Sequence, residues 1–305
     1  MIEIRELSKA YGNHGALRNL SLTLPEGRVL LVVGANGAGK TTMIKILMNL
    51  LEASSGKATV LGVDSRRLSP RELAQIGYVS ENQELPGKLT VDEYLSYLRP
   101  FYSTWDQDLE ADTLRQFRLP GERKIQDLSH GMRVKLALTC ALAYRPRLLV
   151  LDEPFSGLDP LVRDEFMEGL AGYTDEMTIL MSSHELSEAE SFGTDVAFID
   201  EGKLLFQESM EELTGRVQEI RVTLNRMAEG TGGAHRPLPA GWIDVSESGN
   251  VITFVHTQFS DGELQAQLAA QMYGVQRVEV QPMSLRSIFT SLSRAARTRN
   301  DEVGR

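Results

Sequence analysis

The sequence predicts an α/β fold with a mostly parallel sheet, followed by a small α+β domain. In the first part of the 305-residue chain, short apolar runs alternate with segments of helical periodicity. Two of these runs, 29–33 and 148–151, contain no polar residue, as expected of strands covered on both faces. The composition then changes near Thr214. Residues 216–305 carry 10 Arg, no Lys and 9 Asp+Glu, a net charge of +1, whereas the whole chain has a net charge of −10.

The predicted elements of the first part follow one another in βα order. Residues 2–7 and 16–24 alternate apolar and polar side chains, which is typical of half-buried strands. Pro160 suits the first turn of a helix, and the helix from Ser129 is expected to end before Pro146. The further strands are predicted at 28–33, 58–62, 76–80, 147–151 and 178–181, and the helices at 40–51, 91–99, 108–118, 129–144, 160–171 and 186–191.

The part after Thr214 has a different pattern. Strands at 242–246 and 251–256 flank Glu247-Ser248-Gly249-Asn250, which is a β-hairpin signal. The other predicted elements are a strand at 217–224, a Gly/Pro-rich loop at 228–239, a helix at 262–272, a strand at 276–280 and a helix at 284–294. We therefore predict domains at 1–214 and 215–297, and a disordered tail at 298–305.

Composition excludes several classes of protein. Hydrophobic residues make up 42% and charged residues 24%, which are ordinary globular values, and no apolar run reaches the roughly 18 residues of a membrane-spanning helix. Acidic residues near the start do not suit a signal peptide, so we expect a cytosolic chain. The acidic net charge argues against broad nucleic-acid binding. Cys140 is the only cysteine, which excludes an intrachain disulfide, and we predict a core position for it.

The first segment with a predicted chemical role is a glycine-rich loop between a predicted strand and a predicted helix. Residues 34–41 read Gly-Ala-Asn-Gly-Ala-Gly-Lys-Thr and match the P-loop pattern, although a similar turn could merely cap a helix. Small residues let backbone N–H groups surround phosphate oxygens, Lys40 would reach the β- and γ-phosphates, and Thr41 would ligate Mg²⁺. The predicted nucleotide-binding residues of this loop are Gly34, Asn36, Gly37, Gly39, Lys40, Thr41 and Thr42.

Two acidic residues follow a buried strand. Asp152 and Glu153 stand at the carboxyl end of 148–151, the end at which ligands bind in open α/β sheets. Asp152 would hold Mg²⁺, mainly through water, and Glu153 would polarise an attacking water as general base. Taken without the P-loop, the pair could equally be solvated acids at the end of a strand.

These residues and the segments around them, about 2–210, resemble the ATP-binding subunits of ABC transporters. Leu128-Ser129-His130-Gly131-Met132 stands where the family has its signature motif, and Ser156-Gly157-Leu158-Asp159 looks like the D-loop. His184 is similar to the switch histidine, and Tyr11 falls where the family stacks an aromatic ring on adenine.

The resemblance implies a P-loop NTPase core of the ABC ATPase type, with a β-subdomain and a helical subdomain at about 82–145. Two such domains would close head to tail around two ATP, each P-loop facing the signature helix of the other chain. Ser129 and the Gly131 backbone would bind the γ-phosphate, and Asp159 would pass information across the dimer. His184 would hold Glu153 and the water in line. The implied activity is hydrolysis of ATP to ADP and phosphate, with ATP and Mg²⁺ as cofactors and coupled to transmembrane transport.

The sequence departs from the family pattern at two positions. His130 stands where the signature motif usually has glycine, and its β-carbon restricts that loop. Glu81, after the strand at 76–80, stands where glutamine is usual; it can still contact Mg²⁺ or water. Gln83 is the second candidate for this position.

The implied partners are a polytopic membrane permease and a second copy of the chain or a paralogous ATPase, at the cytoplasmic face of the cell membrane, with no nucleic acid. Motifs at 77–82 and 102–106 resemble the exporter-type multidrug and antibiotic-resistance subunits. The aromatic residues of 101–106 either form a docking patch for the permease or pack the helical subdomain itself.

Two alternative functions remain open. A soluble ABC-type ATPase acting on nucleic acid or ribosomes is disfavoured, because the sequence has neither a second cassette nor a long insertion between the P-loop and the signature motif. An ATP-driven lever on a membrane protein that transports nothing would use the same motor, and the sequence does not separate it from a transporter.

Overall fold

The computed structural model describes residues 1–173, 177–184, 193–225, 239, 241–272 and 274–303. The helix predicted at 186–191 and nearly all of the loop predicted at 228–239 lie outside the described residues. The chain divides into two units, Met1–Gln207 and Glu208–Arg305. Among the described residues, no helix has both the length and the hydropathy needed to cross a bilayer.

The first unit contains strands and helices in mixed order, with short 3₁₀ turns at Ser65–Arg67, Arg99–Phe101 and Ile125–Asp127. Its elements are β1 (Ile2–Tyr11), β2 (His14–Leu24), β3 (Val29–Val33), α1 (Lys40–Leu47), β4 (Ser55–Val60), β5 (Val63–Asp64), α2 (Pro70–Leu73), β6 (Ile76–Ser80), α3 (Val91–Leu98), α4 (Gln107–Gln116), α5 (His130–Leu142), β7 (Leu148–Asp152), α6 (Pro160–Ala171), β8 (Thr178–Ser183), β9 (Asp195–Asp200) and β10 (Lys203–Ser209), whose last residues enter the second unit.

Two sheets organise this unit. A four-stranded sheet has the order β2-β1-β4-β5, and its neighbouring strands are antiparallel. A six-stranded sheet has the order β10-β9-β3-β8-β7-β6, and the pairs from β9 to β6 are parallel. Every residue of β3 and β7 is buried, which confirms the prediction of strands covered on both faces. The strands β9 and β10 were not predicted from the sequence.

The register of the parallel sheet places the ends of its strands side by side. Ser80 of β6 pairs with Asp152 of β7, and Asp152 pairs with Ser182 of β8. Ser183 pairs in turn with Val33, the last residue of β3. The residues that follow these strands therefore leave the sheet along the same edge, which is where the candidate site lies.

The helical part of the first unit is held by polar caps and one buried carboxylate. Thr90 forms a capping box at α3, and Asp106 and Ser129 cap α4 and α5. The Glu110 carboxylate is almost fully buried and accepts hydrogen bonds from Arg99 and from Trp105 Nε1. A buried carboxylate of this kind requires such partners.

The aromatic residues near 101 divide into two groups. Tyr102 stacks on Tyr144 with ring centroids 4.0 Å apart, and Trp105 bonds to Glu110, so both pack within the helical part. Phe101 is 64% exposed and contacts the equally exposed Tyr97 in a T-shaped arrangement. Packing within the helical part therefore accounts for Tyr102 and Trp105, whereas a docking patch stays a prediction for the exposed Phe101.

The second unit is a small α+β domain, as predicted. Its elements are α7 (Met210–Arg216), β11 (Gln218–Leu224), β12 (Trp242–Ser248), β13 (Val251–His256), α8 (Asp261–Gln271), β14 (Val275–Pro282) and α9 (Leu285–Val303). The antiparallel sheet has the order β12-β13-β11-β14. Its core consists of Ile220, Val222, Trp242, Phe254, Leu264 and Leu268.

Two details of the second unit bear on the sequence predictions. The predicted hairpin is present, since β12 and β13 pair from Trp242↔His256 to Ser248↔Val251. The last helix continues to Val303, so it extends beyond its predicted end at 294 and includes most of the segment predicted as a disordered tail. Leu285, Ile288 and Phe289 are buried on this helix, which ties its first turns to the domain.

Candidate nucleotide-binding site

The glycine-rich loop joins β3 to α1 in a conformation that requires glycine at two positions. Gly37 and Gly39 have φ angles of +83° and +109°. A β-carbon on Gly39 would also lie 2.6 Å from the Ala16 carbonyl oxygen, and one on Gly34 would lie 2.2 Å from the Ile199 carbonyl oxygen. The loop is therefore pressed against neighbouring backbone, which fixes the direction of its N–H groups.

Lys40 is buried at the start of α1 and its ammonium group is fully engaged. Nζ donates to the carbonyl oxygens of Gly34 at 2.6 Å and Ala35 at 3.1 Å, and lies 3.0 Å from Glu153 Oε1. The lysine thus connects its own loop to the residue that follows β7.

Asp152 lies at the centre of a set of hydroxyl groups. Thr41 Oγ1 donates to Asp152 Oδ1 at 3.1 Å, and Ser182 Oγ donates to the same oxygen at 2.7 Å. Burial raises the pKa of Asp152, and the charges of Glu153 and Glu81 raise it further, although the two hydroxyl groups act in the opposite direction. A cation near this carboxylate would stabilise its charged form.

Glu153 lies between a lysine and a histidine. Its Oε2 accepts from His184 Nδ1 at 2.7 Å, while Oε1 faces Lys40. Its backbone N–H donates to Ser182 Oγ at 2.9 Å, and its φ of +50° is uncommon for a residue other than glycine. Asp152 and Glu153 both contact the start of α1, through Thr41 and Lys40 respectively.

A cleft of about 460 Å³ opens over these groups. Its lining consists of Tyr11, His14, Ala16, Asn36, Gly37, Gly39, Lys40, Thr41, Thr42, Glu81 and Glu153. Tyr11 is 49% exposed, so its ring is available at the entrance. Glu81, the first candidate for its position, lies in the cleft, whereas Gln83 folds back to accept from the Ser80 N–H at 3.4 Å.

Comparison with known proteins places the chain in a family. The sequence profile described as ABC transporter matches residues 17–156. The lantibiotic transport ATP-binding protein SrtF of Streptococcus pyogenes is 34% identical over 222 residues, which are 70% of this chain and 95% of that protein. The chain belongs to the ABC transporter ATP-binding proteins. The ABC transporter ATP-binding protein YtrB of Bacillus subtilis (strain 168) is 29% identical, over 74% of this chain and 77% of that protein.

Solved structures agree with this assignment. The structure of an ATP-binding subunit of an ABC transporter is 27% identical, with a TM-score of 0.64, and the match covers 70% of this chain and 92% of that one. A dimeric bacterial ABC transporter cassette is 25% identical with a TM-score of 0.62, covering 69% and 99%. This ABC protein therefore has the P-loop ATPase fold of the family, binds ATP and is an ATP-hydrolysing motor subunit.

Six predicted site residues of the ABC protein lie outside the cleft lining. Gly34, Asp152 and His184 bond to residues that line it, and the other three are Ser129, Gly131 and Asp159. Ser129 caps α5 by accepting from the Met132 N–H at 3.2 Å, and Asp159 caps α6 by accepting from the Val162 N–H at 3.1 Å. A β-carbon on Gly131 would lie 2.7 Å from Val162 Cγ1, so α5 and α6 touch at this point. The first turns of α5 and α6 thus contact each other outside the lining of the cleft.

Sequence reasoning missed several residues of the site. Ser182 joins Asp152 to the Glu153 backbone, and Ser156 Oγ donates to Glu81 Oε1 at 2.8 Å. His14 and Ala16 line the cleft from β2. The position of Ser182 at the carboxyl end of a buried strand is the one signal that could have indicated its role.

The donors present suit a magnesium ion shared with a nucleotide. Among the described residues, no three His, Cys, Asp or Glu side chains converge as a metal cluster. Thr41 and Asp152 nevertheless place two oxygen donors 3.1 Å apart, and Glu81 adds a carboxylate to the same cleft. Mg²⁺ prefers oxygen ligands and commonly takes only one or two from the protein, with phosphates and waters completing its shell.

Proposed function

We propose that this chain is the ATPase subunit of an exporter-type ABC transporter, and that it acts as a head-to-tail dimer on a separate membrane permease. One observation carries the proposal: Glu153, at the end of β7, faces Lys40 of the P-loop on one side and His184 on the other. This arrangement places a phosphate-binding cation and a carboxylate base in one cleft, with a histidine bonded to the base.

Each residue of the site has a separate role in hydrolysis. The backbone N–H groups of 34–41 and the Lys40 ammonium bind the phosphates, while Tyr11 stacks on the adenine. Glu153 accepts a proton from the attacking water, and His184 holds the carboxylate and the water in line. Thr41, Asp152 and Glu81 would hold Mg²⁺, which when bound neutralises phosphate charge.

A second copy would complete each site. Ser129 and Gly131 lie outside the cleft of their own chain, at the positive end of α5, where a γ-phosphate would be stabilised by backbone N–H groups and the helix dipole. The chain has both Glu153 and Ser129, so one sequence supplies both halves of a site. This supports a homodimer, as does the dimeric form of the related bacterial cassette.

The names of two relatives support the proposed export through a separate permease. One is named for lantibiotic transport, and the probable multidrug ABC transporter ATP-binding protein YbhF of Escherichia coli (strain K12) is 31% identical, with the match covering 38% of that longer protein. Both names support export. The chain would then lie at the cytoplasmic face of the membrane, bound through the permease.

The experiment is a pull-down with tagged Glu153→Gln protein from detergent-solubilised native membranes, with ATP and Mg²⁺. We expect a stoichiometric multi-span membrane protein, and expect less of it with Lys40→Ala, which should not bind ATP. Recovery of ribosomal proteins or nucleic acid without a membrane protein would contradict the proposal. Reconstitution of the pair in proteoliposomes then separates a transporter from a lever that transports nothing.

A further inference from the structure

Ser156 contacts three functional positions and uses each of its polar groups to do so. Its N–H donates to the Glu153 carbonyl oxygen at 3.1 Å, and its Oγ donates to Glu81 Oε1 at 2.8 Å. Its own carbonyl oxygen lies 3.1 Å from His130 Nε2. Because a carbonyl oxygen only accepts, the histidine donates from Nε2. Ser156 therefore connects the Glu81 carboxylate and the Glu153 backbone with His130, the first residue of α5.

The ring of His130 also lies against the turn that contains Ser156. The Leu158 N–H donates to the Phe155 carbonyl oxygen at 3.1 Å, which closes the turn, and Gly157 within it has a φ of +71°. A β-carbon on Gly157 would lie 3.8 Å from His130 Cδ2 and Nε2, which is ordinary van der Waals contact. Glycine at position 130 would provide neither the hydrogen bond nor a side chain beside this turn.

The two positions at which the sequence departs from the family pattern are thus joined through one residue. Glu81 accepts from the Ser156 hydroxyl group, and His130 donates to the Ser156 carbonyl group. Neither His130 nor Ser156 is part of the cleft lining, whereas Glu81 and Glu153 are. The hydrogen bonds of Ser156 therefore provide a route by which His130 can act on the cleft of its own chain.

We propose that His130 and Ser156 are positioning residues, which hold the Glu81 side chain and the Glu153 backbone in place in the cleft. The inference rests on the roles given to Glu81 and Glu153 in the proposed function. A glutamate has several rotatable bonds, and a hydrogen bond to a fixed hydroxyl group limits the conformations that Glu81 samples. Fixing the turn likewise fixes the carbonyl group of Glu153, and so the direction in which its side chain leaves the strand.

The test compares His130→Ala, His130→Gln, Ser156→Ala and the His130→Ala/Ser156→Ala double variant in the full chain, by measuring kcat and KM for ATP. We expect His130→Ala to lower kcat about fivefold, in line with one hydrogen bond, with less than about a twofold change in KM. His130→Gln should recover most of kcat, because an amide N–H can donate to the same carbonyl group. The matched control is Asp127→Ala, an exposed side chain three residues before His130.

The double variant decides whether the residues act together. Since both act through one turn, it should lose little more than the more damaging single variant, whereas independent residues would give the product of the two losses. An unchanged kcat in His130→Ala, no recovery in His130→Gln, or independent losses would overturn the inference. His130→Gln keeps a donor of similar reach and remains measurable if the alanine variant folds poorly. Wild-type protein without ATP turnover would instead count against the proposed function.

Discussion

Lys40 and Glu153 form a buried ion pair, with Nζ 3.0 Å from Oε1 and side-chain exposures of 4% and 9%. The pair joins the P-loop to the residue that follows β7. Burying two charges costs free energy. In this site hydrogen bonds offset that cost: Lys40 donates to two carbonyl groups, and Glu153 accepts from His184. The same two side chains are those that the proposed reaction uses first, on the phosphates and on the water.

Glu153→Gln should bind ATP but hydrolyse it slowly. The amide keeps the size of the side chain but cannot accept the proton of the attacking water, so we expect kcat to fall by about 10²–10⁴-fold. Closed dimers should accumulate with ATP, which size-exclusion chromatography with light scattering detects. Turnover at the wild-type rate would mean that another residue is the base.

Lys40→Ala should lose ATP binding or hydrolysis. The variant lacks the cation that contacts the Gly34 and Ala35 carbonyl groups and would contact the phosphates. Titration with a fluorescent ATP analogue measures the affinity. Lys45→Ala, on the exposed face of the same helix, is the matched control and should bind normally. Normal turnover by Lys40→Ala would disprove the assignment of the P-loop.

Asp152→Asn should stabilise the nucleotide-free protein at neutral pH while it lowers activity. Burial raises the pKa of Asp152 above its ordinary value of 3.8, so the folded chain binds more protons than the unfolded chain between these two pKa values. The free energy of unfolding therefore falls as pH rises through that window. The asparagine variant does not lose this stability, because its side chain does not ionise. Its amide oxygen still accepts from Thr41 and Ser182.

Unfolding in urea at about pH 4 and about pH 7.5 measures this effect. The advantage of Asp152→Asn over wild type should be larger at the higher pH. A variant that is less stable than wild type at about pH 7.5 would show that burial does not penalise this carboxylate.

Ser182→Ala should lower kcat by about 10-fold to 100-fold, the usual range for residues that orient a metal ligand. Its hydroxyl group donates to Asp152 Oδ1 and accepts from the Glu153 N–H, so the variant loses the link between the two acidic residues. Ser55→Ala, at an exposed position of β4, should hydrolyse ATP normally. Equal rates of ATP hydrolysis for the two variants would show that Ser182 has no role in the site.

Gly39→Ala should destabilise the chain more than Gly37→Ala. Both glycines have positive φ angles, so each substitution costs about 1 kcal/mol in free energy of unfolding. Only at position 39 does the new methyl group lie 2.6 Å from a carbonyl oxygen, which forces the backbone to move and adds about 1–2 kcal/mol. Urea denaturation measures the free energy of unfolding of both variants. Equal losses of stability would mean that the loop moves away from the new methyl group without a cost in free energy.

Much of the site followed from local sequence patterns. The residues of the P-loop, Asp152 and Glu153 are adjacent to buried strands, and the strand-to-helix context indicated their place at one edge of the sheet. The other contacts of the site depend on the register of the parallel sheet. Only the pairing of Asp152 with Ser182 shows that Ser182 joins the acidic residues, since the two residues are far apart in the chain.

The sequence by itself determined the α/β class, the family resemblance and the motifs to which we assign ATP binding and hydrolysis, because each depends on short spacings and hydrophobic periodicity. The tertiary structure alone decided that Glu81 rather than Gln83 enters the cleft, and that His130 and Glu81 meet at Ser156. Such contacts depend on how β6, β7 and α5 pack, and packing joins residues whose separation in the chain carries no periodic signal.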